Sequence, residues 1–316
     1  MITKAATATK IATAYITHAD CLKHDMGSYH PECPQRLTAI AQQLEATGLL
    51  AQLQYHDAPL ATTAQLARVH APDYIAAIQN ASPQSGLHYL DPDTTMNPHT
   101  LNAALRAAGA VVLAVDLVMT QQAANAFCAI RPPGHHAEST RAMGFCIFNN
   151  IAVGVAHAIE QYGLQRVAIL DFDVHHGNGT EEIFGNDKHV LLCSTFQHPY
   201  YPNCGAENRH RNCINVPLAA GSGSNAFRQA VIDQWLPAVE TFRPEIIFIS
   251  AGFDAHREDE MAQLILDDAD YAWITQQIKT LAEKYAQGRI VSVLEGGYAL
   301  KALGRCVTQH VEVLCN

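Results

Sequence analysis

Val167-Ala-Ile-Leu-Asp171-Phe-Asp173-Val-His175-His-Gly-Asn178-Gly-Thr180 is the stretch on which the reading of the fold turns. Residues 167–170 form a short apolar run of the kind a buried parallel strand shows. The run ends abruptly in Asp171, Asp173 and His175. In an extended chain alternate side chains share a face, so these three point one way and Phe172 and Val174 the other. Carboxylates converging at a strand end without a cation repel each other and lose hydration. A divalent metal removes both costs, and Asp/His ligation with room for water is what catalytic zinc uses. A lone aspartate there would read better as a solvated turn; Asp-x-Asp-x-His-His-Gly reads better as ligands.

Working outward, three more apolar runs end in chemistry. Residues 126–130 lead into Arg131-Pro-Pro-Gly-His135-His136, residues 245–250 into Ala251-Gly-Phe-Asp254, and residues 290–294 into Glu295-Gly-Gly-Tyr298. Adjacent histidines cannot share a strand face, so either they diverge or a special loop aims both into one cavity. Open α/β sheets place their sites beyond the carboxyl ends of strands, which gives the pair weight. Between these runs lie expected helices at residues 36–47, 62–69, 71–80, 101–119, 151–162, 180–184, 226–242, 268–287 and 299–314. Further strands are expected at 11–17, 190–194 and 214–216, with polar loops at 88–99 and 197–211. Alternating strands and helices predict one α/β domain over residues 1–316, a mostly parallel sheet with helices on both faces.

Composition narrows the function. Charged residues are 16% of the chain, below the ~25% common in soluble domains, so apolar surface suffices for a large core and for homo-oligomer contacts. The formal net charge of −10 argues against a nucleic-acid surface. Residues 1–10 carry two lysines with no apolar core or cleavage site behind them, and no stretch is read as long enough to cross a bilayer. Nine cysteines without C-x-x-C spacing read as reduced core thiols, and the cytoplasm is the expected location.

Together with His30-Pro-Glu-x-Pro-x-Arg36, the four strand-end motifs in this order resemble the zinc-dependent histone deacetylase and acetylpolyamine amidohydrolase superfamily. The Asp-Val-His-His-Gly-Asn-Gly-Thr form is similar to its class II branch and bacterial relatives. The resemblance implies an arginase/deacetylase-like α/β fold with the active site at the strands' C-terminal ends. It also implies Zn²⁺ (Fe²⁺ as the alternative in the cell) on Asp173, His175 and Asp254. Two carboxylates leave such a zinc formally neutral, so its water needs further activation. By resemblance His136 is the general base, His135 its partner held by Asp171, and Tyr298 the donor to the developing oxyanion. Asn178 stands where class I members carry an aspartate, and without that charge His136 is expected to be less basic.

The resemblance further places Gly144, Phe145 and Tyr201 along a substrate tunnel, with Asp93 as a rim acceptor and Arg36 lining a channel for released acetate. A structural K⁺ falls on Asp171, Asp173, His175, Ser194 and Thr195. Met261 stands where polyamine-selective relatives carry glutamate, although residues 256–260 depart from the family's Gly-Asp-Pro pattern and a one-residue slip would bring Glu260 to that place. The expected substrate is an acetylated lysine in a peptide or protein. A small acetylated amine such as an acetylpolyamine is the runner-up, and an inactive acyl-lysine binder is the reading from another class.

Overall fold

The strand tips are brought side by side by the order of the sheet. The computed structural model describes residues 11–207 and 209–316, so the stretch read for a leader, residues 1–10, lies outside it. In chain order the elements are β1 (Ala14–Thr17), α1 (Gln35–Ala46), β2 (Gln54–Asp57), α2 (Thr63–Leu66), α3 (Pro72–Ala81), β3 (His88–Tyr89), β4 (Thr95–Met96) and α4 (Thr100–Met119). They continue with β5 (Ala126–Cys128), α5 (Asn150–Tyr162), β6 (Val167–Asp171), α6 (Asn178–Phe184), β7 (Val190–Gln197), β8 (Cys213–Leu218) and α7 (Ser224–Ala230). The last are α8 (Leu236–Phe242), β9 (Ile246–Ala251), α9 (Asp268–Tyr285), β10 (Ile290–Leu294) and α10 (Leu300–Cys315).

Eight strands make one parallel sheet in the order β2-β1-β5-β10-β9-β6-β7-β8. The strands that end in the four motifs, β5, β10, β9 and β6, are therefore consecutive neighbours although their sequences lie far apart. Every residue of β6, β9 and β10 is buried, so both faces are covered. One group of helices is α4 packed on α5; the other is α1 on α10 and α10 on α9. Burying each Val, Ile or Leu of these strands contributes ~1.5–3 kcal/mol, and that packing holds the polar tips in place.

Three local expectations are corrected and one strand is added. Residues 226–242 do not form one helix: α7 and α8 are joined by a π-helical turn, Val231–Trp235, in which the Leu236 N–H reaches back to the Val231 carbonyl. Pro237 explains it, since it has no N–H to give and its ring crowds the preceding turn. Residues 88–99 hold the antiparallel hairpin β3–β4, and β2 adds a polar, mostly exposed edge strand; neither has an apolar alternation to betray it. Finally, α4 is long and apolar enough to cross a bilayer by length and composition, contrary to the sequence reading, but two-thirds of its most apolar window is buried inside the protein. All nine cysteines are free thiols.

Candidate metal centre and active site

At the tip of β6 the backbone bends instead of continuing, and carboxylates hold the bend. Asp171 Oδ1 accepts from the Asp173 N–H (3.1 Å), Asp173 Oδ1 from the His175 N–H (2.9 Å), and Asp254 Oδ1, beyond β9, from the Val174 N–H (3.0 Å). The Gly296 N–H, beyond β10, donates to Asp173 Oδ2 at 2.8 Å. The result is a buried set, Asp173, His175 and Asp254, whose ligand atoms all lie within 4.8 Å of one another. Asp254 Oδ2 is buried and makes no well-formed hydrogen bond, with His175 Nδ1 its charged neighbour at 3.3 Å. A β-carbon on Gly296 would stand 2.6 Å from Asp173 Oδ2, so glycine keeps the space beside the carboxylates open.

The charges are unbalanced. Burial and the Asp173 carboxylate push Asp254 up to about 6. Burial opposes a proton on His175, yet its bonds to Asp173 and Asp254 hold its pKa up to about 10. A carboxylate oxygen lacking a well-formed hydrogen bond, two crowded acids and an imidazole are what a divalent cation satisfies, and the donor set is one zinc accepts.

The histidine pair sits in the loop after β5. The ring centres of His135 and His136 are 4.0 Å apart, so the loop holds the two side by side instead of letting them diverge. His135 Nδ1 is 3.0 Å from Asp171 Oδ2, and His136 Nδ1 is 2.8 Å from Asn178 Oδ1. Burial disfavours charge on His135, but Asp173 and Asp171 outweigh it and raise its pKa to about 10. His136 goes the other way: burial, then the charges of His135 and His175, hold it well below the ordinary imidazole range. The two adjacent imidazoles are thus pulled in opposite directions, the separation expected of an acid–base pair.

Tyr298 is anchored through its backbone. Asp259 Oδ2 accepts from the N–H groups of Tyr298 (2.6 Å) and Ala299 (2.9 Å). Arg36 Nε donates to the Gly297 carbonyl (2.6 Å) and Nη2 to the Glu295 carbonyl (2.5 Å), with the guanidinium 4.9 Å from the Tyr298 ring centre. Glu32 accepts from Arg36 Nη1 (3.1 Å) and from both Nε and Nη2 of Arg131, a fully buried knot that ties α1 to the β5 and β10 tips. Desolvation raises the Tyr298 phenol well above its ordinary value despite Arg36, so it stays a proton donor.

Around this centre Phe145 packs edge-on to Tyr298 (5.9 Å) and Tyr201 edge-on to His136 (5.2 Å) and His175 (6.0 Å). Gly144 has φ 57°, and a β-carbon there would meet the His136 ring. Asp93 lies on the hairpin turn; its carboxylate takes the Thr94 hydroxyl (3.0 Å), which in turn accepts from the Phe145 N–H (3.1 Å). Met261 is half-buried with its N–H on Asp259 Oδ1 (3.0 Å), whereas Glu260 is exposed. Asp171 and Ser194 are partners across β6–β7; Ser194 Oγ is buried without a hydrogen bond and Thr195 is buried beside it, which suits an oxygen-coordinated monovalent cation.

Three residues escaped the sequence reading. Glu295 Oε2 accepts from the Gly134 and His135 N–H groups (2.7 and 3.1 Å), fastening the histidine loop to the tip of β10. Asp259 and Glu138 are the others. Glu295 stood inside a quoted motif and was legible; Asp259 and Glu138 carry no local signal of their roles. A second group within ligand distance, His256, Asp268 and Cys306, lies apart from the tips.

A family model, the histone deacetylase domain, matches residues 30–314. The chain belongs to the histone deacetylase family. It is 38% identical to the histone deacetylase-like amidohydrolase of Pseudomonas aeruginosa, over 90% of this chain and 77% of that protein. It is 36% identical to the polyamine deacetylase HDAC10 of Mus musculus, over 96% of this chain and 48% of that protein. The chain spans as little as 21% of one curated relative's length. The solved HDA15 HD domain superposes with a TM-score of 0.91 at 34% identity, covering 96% of this chain and 88% of that one. This family places the chain among deacetylase hydrolases.

Proposed function

We propose that this histone deacetylase family member removes acetyl groups from lysine side chains using Zn²⁺ held by Asp173, His175 and Asp254. The observation that carries the reading is the buried three-residue ligand set, in which Asp254 Oδ2 meets only His175 Nδ1 at 3.3 Å, flanked by two histidines whose basicities are driven in opposite directions. Zinc there supplies Lewis acidity toward the amide carbonyl and lowers the pKa of water. The neutral imidazole of His136 takes the proton from the attacking water and passes it to the leaving amine. His135, kept cationic by Asp171, stabilises the negative charge that develops, and the Tyr298 phenol donates to the oxyanion. Phe145 and Tyr201 flank the long apolar stem of the substrate, and Asp93 receives its backbone N–H. K⁺ on the oxygens around Asp171 and Ser194 steadies the β6 bend.

Acetylpolyamine hydrolysis by the same groups is the second reading, favoured by the name of the mouse relative. An acidic residue reaching the tunnel would attract the second ammonium of such a substrate. Met261 is half-buried and Glu260 faces solvent, which supports acyl-lysine instead. An inactive binder would have no use for the proton-transfer parts. Zinc-loaded protein assayed on an acetyl-lysine peptide and on N-acetylputrescine tests the order: the peptide is expected to win in kcat/KM, and a large preference for putrescine reverses it.

A further inference from the structure

The amide of Asn178 stands between two partners that demand opposite things. Its Oδ1 lies 2.8 Å from His136 Nδ1. Its Nδ2 faces three acceptors: Glu138 Oε1 at 2.9 Å, Met143 Sδ at 3.3 Å and the His136 carbonyl at 3.5 Å. Only the Glu138 contact has the length and charge of a strong hydrogen bond. An amide is nearly symmetric in shape and can be seated either way round; an aspartate has no such choice, since both oxygens accept. Turned over, Asn178 would set its oxygen against the Glu138 carboxylate and offer N–H to His136.

We propose that Glu138 is a positioning residue: by accepting from Asn178 Nδ2 it fixes the amide the right way round and thereby keeps the proton of neutral His136 on Nδ1. The Nε2 lone pair is then the one left free to receive the proton from water. This rests on the reading of His136 as the base. His135 has no need of such a device, because its partner Asp171 is a carboxylate. The Glu138 side chain is not what shapes its own loop: that turn is closed by the backbone bond from the Glu138 N–H to the Arg141 carbonyl (2.9 Å), and the Glu138 carbonyl meets His70 Nδ1 at 3.1 Å. Arg141 Nη2 lies 2.9 Å from the same Oε1, and its side chain is 59% exposed, so water screens that pair.

The test is a cycle of Glu138 and Asn178 variants in zinc-loaded protein. With Asn178 in place, Glu138→Leu is expected to lower kcat about tenfold with little change in KM, while Glu138→Gln, whose amide oxygen still accepts, recovers most of it. In the Asn178→Asp background the same Glu138→Leu change should cost less than about twofold, because a carboxylate needs no orienting and loses an acidic neighbour. Equal losses in both backgrounds would overturn the proposal and leave Glu138 a support of the loop. Should Asn178→Asp fail to fold, the ¹⁵N spectrum of histidine-labelled, metal-free protein decides, with His136 assigned by its loss in His136→Ala. Glu138→Leu should move the proton partly from Nδ1 to Nε2, and an unchanged tautomer would overturn the proposal. Full turnover in His136→Ala would instead sink the reading of the base, which the tautomer measurement does not touch.

Discussion

Among the described residues, two places bring a histidine, a carboxylate and a third donor within reach of one cation: Asp173, His175 and Asp254 at the strand tips, and His256, Asp268 and Cys306 between the start of α9 and α10. In the second group, Arg305 already donates to both Asp268 oxygens (2.8 and 3.3 Å), His256 Nε2 lies 2.9 Å away, and burial pushes the Cys306 thiol up, further from a thiolate. The acid there has its cation. In the first group, among the described residues, no arginine or lysine pairs with the acids, one carboxylate oxygen makes no well-formed hydrogen bond, and two acids crowd each other. Ligand types alone do not distinguish the two; the unbalanced charge does.

The comparison breaks if the metal goes to the wrong place. Asp254→Ala is expected to abolish stoichiometric zinc and lower kcat/KM by at least about 10³, whereas Asp268→Ala keeps one zinc per chain by atomic absorption. Zinc retained in Asp254→Ala would make the tips a salt-bridge network only. Next in size, Tyr298→Phe should cut kcat by roughly 10²–10³ with zinc content intact, which separates holding the metal from using it. Unaltered turnover would remove the tyrosine from the reaction.

A pH titration sharpens the contrast. His175 keeps its proton up to about 10 in the metal-free site, so zinc must displace it at lower pH. Between pH 7 and 9 the apparent zinc affinity should therefore rise about tenfold per pH unit, measured by competition with a chelator. A flat profile would mean that His175 does not ligate. The smallest effect belongs to the second group: Asp268→Ala severs a partly exposed ion pair and should cost about 1 kcal/mol or less of stability in a denaturant melt. A loss of several kcal/mol would show that this cluster braces α9 against α10 far more than its exposure suggests.

Much of the molecule was legible one segment at a time. Buried strands read as apolar runs because both faces of a parallel sheet are covered, and their abrupt polar ends marked the tips. The hairpin β3–β4 and the edge strand β2 were not legible, since two to four mostly polar residues carry no period. The break between α7 and α8 was signalled by Pro237 and passed over. The apolar length of α4 was likewise present in the sequence; its burial against α5 and the sheet was not.

By itself the sequence determined the side chains at four strand ends and their family, because each motif is a few contiguous residues whose chemistry needs no neighbour to be named. Only the tertiary structure decided that β5, β10, β9 and β6 lie consecutively, and so which of those side chains meet. It alone decided that Glu295 holds the histidine loop, Asp259 the Tyr298 backbone and Glu138 the Asn178 amide. The physical reason is that strand order and these bonds arise from packing between segments tens to more than a hundred residues apart. No local pattern encodes such contacts.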